Sequence, residues 1–197
     1  MVSLHDRLPD QSNVLLLSES LDPTARETGF DLLTPTETGE QRVLAISYLD
    51  TPADWLDRWR DRVGPLPADV RLVMVGETAA GDGDWRSSAT EHVQVTRASP
   101  TDLTGVGIAV SDTLSTWGQS DDPVVVCVDS VTTMLQYAPL PTVFRFLHTI
   151  CRRFASVGAL AHFHLDPAAH DDQTVARLTH LFDALVRIED GDLTVRA

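Results

Sequence analysis

The feature that most constrains the fold is a repeated alternation of short apolar runs with helix-like segments. The runs, such as residues 13–18 (NVLLLS) and 123–129 (PVVVCVD), have the length and composition of strands buried on both faces. The segments between them space their apolar residues by three and four, which is typical of helices that lie on a sheet. This alternation predicts a parallel sheet covered on both faces, and therefore a three-layer α/β fold.

The predicted boundaries follow from local signals. Strands are predicted at residues 13–18, 42–48, 70–76, 123–129, 159–165 and 184–189. Asp190-Gly191 is a two-residue turn, so residues 192–196 are predicted to complete a C-terminal β-hairpin. One helix is predicted over residues 141–157, and others begin where a capping residue precedes a proline, at Asp22-Pro23, Thr51-Pro52, Ser99-Pro100 and Asp166-Pro167. Residues 76–89 are predicted to form a loop, residues 1–12 an N-terminal tail, and residues 13–197 a single domain.

The charge balance indicates which partners to expect. The net charge is -14, all 15 basic residues are arginine, and 22 of the 29 acidic residues are aspartate. This balance resembles that of cytosolic proteins of halophilic archaea, because concentrated salt screens the repulsion between surface carboxylates. A surface of this kind disfavours nucleic acid, since phosphate needs a basic face.

Localisation and redox state follow from the apolar segments. No apolar run approaches the roughly 20 residues of a membrane span, and no signal-peptide pattern begins the chain. We therefore expect a cytoplasmic protein that does not enter a membrane. Cys127 and Cys151 lie in apolar segments, which predicts buried, reduced side chains rather than a disulfide.

The first strand-to-helix turn is the expected place for a phosphate in an α/β protein. A P-loop there needs glycines and a lysine, but this chain has no glycine before Gly29 and no lysine at all. Ser18, Glu19 and Ser20 occupy the turn, and Glu19 would repel a phosphate. The turn therefore predicts an ordinary strand-turn-helix connection without a cofactor.

A second candidate nucleotide position lies at the end of the run VVVCVDSVTTML. Asp129 and Ser130 follow a buried strand, as the aspartate of a Walker B motif does when it holds magnesium. The alternative is that Asp129 only caps the next helix.

The same run resembles the "VVIDSLT" strand of KaiC-like members of the RecA superfamily. The later segment 144–191 resembles the rest of that core, and Asp183 to Ile188 matches its "D-x-x-h-x-h" strand, in which h is hydrophobic. The resemblance covers roughly residues 13–190, and it fails at the P-loop. It implies a RecA-like P-loop NTPase fold in which Ser18, Glu19, Ser20, Asp129 and Ser130 mark a vestigial nucleotide site.

The resemblance implies a function as well. Small haloarchaeal proteins of this kind are described as RecA-superfamily or transducer-like signalling proteins. We therefore expect a non-catalytic pseudo-ATPase that binds a protein partner in signalling or regulation. Self-association is a further expectation, since family relatives assemble through neighbouring subunits around the nucleotide site. The alternative is a nucleotide sensor or weak ATPase that still binds magnesium and ATP.

The segment AHFHLDPAAHDD suggests a different chemistry. His162, His164 and Asp166 alternate, so on a strand they share one face, and imidazole with carboxylate suits zinc, iron or manganese. This pattern predicts a metal-dependent hydrolase as a further alternative. The competing interpretation is that Asp166 caps a helix while the two histidines pack against helices.

Overall fold

A computed structural model describes residues 4–8, 13–19, 22–34, 40–76, 92–118, 122–189 and 191–196. A short 3-10 helix, His5–Arg7, precedes the first strand. The strands are β1 Asn13–Leu17, β2 Arg42–Ser47, β3 Asp69–Val75, β4 Val93–Ala98, β5 Val124–Asp129, β6 Leu160–Leu165, β7 Ala184–Glu189 and β8 Asp192–Arg196. The helices are α1 Pro23–Leu32, α2 Pro52–Arg62, α3 Leu103–Trp117, α4 Val131–Tyr137, α5 Leu140–Ser156 and α6 Asp172–Thr179.

The strands form one eight-stranded sheet in the order β4-β3-β2-β5-β6-β1-β7-β8. Every neighbouring pair is parallel except β7 and β8, which form an antiparallel hairpin with Glu189 opposite Asp192. The predicted α/β class, the parallel sheet and the C-terminal hairpin are therefore confirmed. No helix among the described ranges is long and apolar enough to cross a membrane.

Helices cover both faces of the sheet, which gives three layers. On one face, Trp55 and Trp59 of α2 stack at 5.4 Å between ring centroids and pack with buried side chains of β2 and β3. On the other face, α3 and α5 bury Val110 and Phe154 against Ile46 and other side chains of the same strands. Because both faces are covered, the central strands are mostly apolar, and their polar residues lie mainly at the strand ends and in β6.

Two predicted helix starts are confirmed. The Asp22 carboxylate accepts the Thr24 N–H at 2.8 Å, and the Thr51 hydroxyl accepts the Asp54 N–H at 3.2 Å. Each cap precedes a proline at the first helical position, where the missing N–H costs nothing.

Two other predicted starts are wrong. Helix α3 is capped by Asp102, which accepts the Gly105 N–H at 2.8 Å, so Ser99 only opens the preceding turn. Asp166-Pro167 begins a single 3-10 turn, and α6 starts later under the cap of Asp171.

The sequence analysis also missed strand β4, at one edge of the sheet. Its burial alternates irregularly because only the inner edge of the strand is paired. Most of the predicted loop, residues 77–89, lies outside the described residues.

Part of the predicted N-terminal tail lies against the sheet. Leu8 is buried with Val14 and Val186 of the central strands. The His5 ring lies 2.8 Å from the Asp31 carbonyl oxygen. The division into a tail and one domain stays a prediction.

The topology places a candidate site at the carboxyl ends of the central strands. From β2 the chain proceeds to β3 on one side, and from its neighbour β5 it proceeds to β6 on the other side. In open α/β sheets, ligands bind in the crevice where the strand order reverses in this way. Ser47 and Asp129 end the two strands that flank this point.

Candidate functional site

A cleft lies across the carboxyl ends of β1, β5 and β6. Its volume is about 50 Å³. Its lining includes the predicted positions Ser18, Glu19, Asp129, Ser130, His164 and Asp166. The fold therefore brings these predicted residues together, although they come from distant parts of the chain. Ser20 lies outside the described residues.

The described residues between β1 and α1 have hydrogen bonds to β6 and to the first turn of α1. Ser18 is buried, and its N–H donates to the Leu165 carbonyl at 3.2 Å. Glu19 is exposed. The Asp22 carboxylate accepts from the first turn of α1, which is the position where an anion would otherwise bind a helix N-terminus.

Ser130, not Asp129, caps helix α4. The Ser130 hydroxyl accepts the Thr133 N–H at 3.1 Å. The interpretation of Asp129 as the cap is therefore wrong. The Asp129 backbone carbonyl accepts the Tyr48 N–H at 2.7 Å, and its carboxylate is partly buried at the floor of the cleft.

A basic group of helix α2 is held among the carboxylates that follow β2 and end β5. Arg58 of α2 forms an ion pair with Asp50, which follows β2, instead of pairing only along its own helix. Burial alone would lower the pKa of Arg58, but the hydrogen bond to Asp50 and the charges of Asp50, Asp129 and Asp54 raise it. Arg58 therefore stays positively charged and offsets part of the negative charge of Asp50, Asp129 and Asp54.

The two histidines of β6 face helix α1, as one of the two interpretations predicted. Their rings lie 5.1 Å apart between centroids in an edge-on arrangement. His162 is fully buried, and His164 is partly buried. Asp166, the third residue of the predicted cluster, caps the 3-10 turn instead. One of its carboxylate oxygens accepts the Ala168 N–H at 2.9 Å.

Cys127, which the sequence analysis treated only as a core residue, joins the two histidines. In the parallel register of β5 and β6, Cys127 stands beside His162. One potential ligand atom from each of Cys127, His162 and His164 lies within 4.8 Å of the other two. The register of neighbouring strands was the missing information, since Cys127 and His162 are 35 residues apart in sequence.

Three buried ring nitrogens of the two histidines lack hydrogen-bond partners among the described residues. Among the described residues, neither ring nitrogen of His162 has a hydrogen-bond partner, and the Nε2 of His164 has none either. Burial lowers the pKa of both histidines, and for His162 the neighbouring His164 and His5 lower it further. Both imidazoles are therefore neutral near pH 7, the form in which a ring nitrogen can donate its lone pair.

Burial has the opposite effect on the thiol. It raises the pKa of Cys127 well above its usual range, and the nearby carboxylates of Asp129 and Asp50 raise it further. The thiol is therefore protonated near neutral pH and is a poor nucleophile. The arrangement does not suit covalent catalysis by Cys127.

Helix α1 approaches the histidines closely because residue 29 is glycine. A Cβ at Gly29 would lie 3.1 Å from the Nε2 of His164 and 3.3 Å from the Nε2 of His162. Both nitrogens therefore point to one small space under the helix. A cavity of about 40 Å³ reaches this region, and Cys127, Asp129 and His164 contribute to its lining.

Comparison with protein families gives one match. The model of a family of unknown function, DUF7504, matches residues 11–188, which include strands β1 to β6 and all but the last residue of β7. The chain belongs to this family. No curated protein matches it. This membership assigns no activity to the cleft or to the buried cluster.

Comparison with solved structures supports the fold. A protein from Pyrococcus horikoshii OT3, studied as Project ID PH0250, superposes with a TM-score of 0.59 at 11% sequence identity. The superposition covers 95% of this chain and 87% of the other. At this identity the likeness concerns the α/β fold alone.

Proposed function

We propose that this protein is a RecA/KaiC-like domain without ATPase activity, which acts as a protein-interaction module in signalling or regulation in a halophilic archaeon. The observation that carries the proposal is the capped N-terminus of α1, where the Asp22 carboxylate accepts the Thr24 N–H. A phosphate at this helix end would have to displace a carboxylate of the same charge.

The charges around the cleft support the loss of nucleotide binding. Among the described residues, the carboxylates of Glu19, Asp22, Asp129 and Asp166 line it, against one arginine, Arg26. A nucleotide brings several negative charges of its own, and the chain contains no lysine that could reach them.

The size of the cleft supports the same conclusion. Ligand pockets typically measure about 300–1,000 Å³. The cleft measures about 50 Å³, which is room for a few water molecules.

The RecA/KaiC-like assignment draws on the resemblance of two segments. The Walker-B-like run forms β5 and the start of α4, and the matching C-terminal segment runs from α5 through β6 to β7. Residues of both segments line the cleft, as a vestigial nucleotide site would require. The signalling role rests on the resemblance alone.

A surface suited to a partner lies on the face of the sheet opposite to Trp55 and Trp59. Helices α3 and α5 border an open groove of about 760 Å³. Gly107, Ile108 and Phe146 give it an apolar floor, and the Ile108 side chain is 58% exposed. A contiguous apolar surface with a polar rim is typical of a protein-interaction site.

The rim of the groove indicates the chemistry of the partner. Three exposed arginines, Arg145, Arg152 and Arg153, line it together with one acid, Asp112. This local excess of positive charge contrasts with the net charge of -14 for the whole chain. The groove therefore suits an amphipathic helical segment of another protein, with apolar residues on one face and acidic residues beside them.

The first test concerns nucleotide chemistry. Phosphate release from magnesium-ATP and magnesium-GTP should stay at the background rate in molar potassium chloride, for the wild-type protein and for Asp129→Ala alike. Hydrolysis by the wild type that disappears in Asp129→Ala would contradict the proposal and favour the weak ATPase.

The second test concerns the groove. A synthetic amphipathic helix with leucines on one face and flanking glutamates should bind in a fluorescence anisotropy titration, and Ile108→Asp should weaken this binding at least tenfold. Leu49→Asp is the matched control, since Leu49 is another exposed aliphatic residue, 50% accessible, but outside the groove. Equal binding of the same peptide with lysines in place of glutamates would contradict the assignment. Dimers in sedimentation that Ile108→Asp dissociates would show a second copy of the chain in the groove instead.

A further inference from the structure

The buried cluster under α1 contains more unpaired polar atoms than a protein core usually tolerates. Buried side-chain nitrogens nearly always have a hydrogen-bond partner, since leaving one without a partner is costly. Here the Nδ1 and Nε2 of His162 and the Nε2 of His164 have none among the described residues. Simple packing in a core does not account for two adjacent imidazoles of this kind.

We propose that Cys127, His162 and His164 bind one transition-metal ion of the zinc class between the sheet and helix α1. Thiolate and imidazole are the donors that zinc prefers, and three protein ligands leave a fourth position open. Neither the family membership nor the proposed interaction role includes this site.

The spacing of the donors suits such an ion after small rotations. The three ligand atoms lie within 4.8 Å of one another. At zinc–sulfur and zinc–nitrogen distances of about 2.3 and 2.0 Å, ligand atoms around a tetrahedral ion are about 3.5 Å apart. Side-chain movements of about 1 Å would therefore close the site, with no movement of the strands.

The space for the ion exists because residue 29 of helix α1 is a glycine, which has no side chain. The Nε2 atoms of both histidines approach the point where a Cβ on Gly29 would lie. Any larger residue at this helical position would fill the space that the ion needs.

The fourth position is suited to water. The cavity beside Cys127 and His164 measures about 40 Å³, which holds one or a few water molecules. The Asp129 carboxylate lines the same cavity and, together with the Cys127 thiolate, balances the two charges of the ion. When the ion binds, the proton of the Cys127 thiol passes to solvent.

The experiment is a cobalt titration of the full-length chain after treatment with a chelator and a reductant. Co²⁺ replaces zinc in such sites, and a thiolate ligand adds a charge-transfer absorption that imidazole alone does not produce. We expect one equivalent of Co²⁺ to give this absorption, and one equivalent of Zn²⁺ to remove it by displacing the cobalt.

Variants identify the ligands. Cys127→Ser should abolish the charge-transfer absorption and weaken zinc binding at least tenfold in competition with a chromophoric chelator. Cys151→Ser is the matched control, because Cys151 is the other free cysteine among the described residues and belongs to the core on the other face of the sheet, and it should bind as the wild type does.

Two further variants keep the test decisive if Cys127→Ser does not fold. His164→Gln keeps a polar side chain at a partly buried position, and Gly29→Ala fills the space under the helix; each should weaken zinc binding at least tenfold while circular dichroism stays unchanged. A folded wild type that takes up neither ion, or equal binding by the Cys127 and Cys151 variants, would overturn the proposal.

Discussion

Two neighbouring cavities near the carboxyl ends of the strands share Arg26, Asp129 and His164, yet their polar groups are in opposite situations. Around the outer cleft, Asp22, Ser130 and Asp166 cap the helical turns that follow their strands. In the inner cavity, imidazole nitrogens have no partner among the described residues. Local structure thus accounts for the polar groups of the cleft, whereas the proposed metal ion would account for those of the buried cluster.

The largest effect should come from filling the space beneath α1. Gly29→Ala adds a methyl group 3.1 Å from the His164 ring, and such overpacking typically costs about 1–3 kcal/mol. Urea unfolding of the metal-free protein in molar potassium chloride measures this loss. Gly107→Ala is the matched control in helix α3, since the new Cβ would lie at an ordinary 3.6 Å from Phe146. That variant should be as stable as the wild type or more so, and equal losses from both would show that Gly29 is not special.

A smaller loss should follow from removing a cap in the cleft. Ser130→Ala leaves the Thr133 N–H without its acceptor, which should lower the free energy of unfolding by about 1 kcal/mol. Asp129 does not cap α4, and asparagine has nearly the same shape as aspartate. Asp129→Asn should therefore change the free energy of unfolding by less than about 0.5 kcal/mol. Thermal unfolding measures both variants. A larger loss from Asp129→Asn than from Ser130→Ala would show that Asp129 contributes more to the stability of the fold.

Replacing the orphaned imidazole should cost nothing in the metal-free protein. His162→Leu removes two buried nitrogens without partners and keeps a similar volume, so stability should stay unchanged or rise by up to about 1 kcal/mol. Urea unfolding in the presence of a chelator is the measurement. A loss above about 2 kcal/mol would mean that His162 forms polar contacts that the described residues do not supply.

The smallest effect should come from Glu19, the exposed acidic residue that follows β1. Glu19 is exposed, and Glu19→Gln should change the free energy of unfolding by less than about 0.5 kcal/mol. Chemical denaturation measures it. A larger loss would show that the turn depends on the carboxylate.

The sequence was most informative where one segment carries its own signal. Strand β5 is apolar up to its last residue, Asp129, because both of its faces are covered, so its position could be predicted within a residue. Strand β4 was missed, because an edge strand buries little and shows no clear period. Asp22 was recognised as a cap, whereas the turn at Ser99 has the same pattern of a capping residue before a proline but places Asp102 at the helix start.

The residues of the candidate sites show the same difference between those that carry a signal in their own segment and those that depend on strand pairing. Asp129 and His164 could be picked out because each ends or nearly ends a predicted strand, and carboxyl ends of parallel strands converge. Cys127 could not, since its meeting with His162 depends on the pairing of β5 with β6 and on a register that neither segment encodes alone. The sequence instead offered Asp166, which is adjacent in the chain but caps the next turn.

The most direct test of the whole account is thermal unfolding of the wild-type protein in molar potassium chloride with magnesium-ATP or with Zn²⁺. A ligand at 100 times its dissociation constant stabilises the folded state by about 2.7 kcal/mol, a clear rise in melting temperature for a chain of this size. The account predicts such a rise with Zn²⁺ and none with magnesium-ATP. A rise with magnesium-ATP that is lost in Asp129→Ala, and none with Zn²⁺, would contradict it.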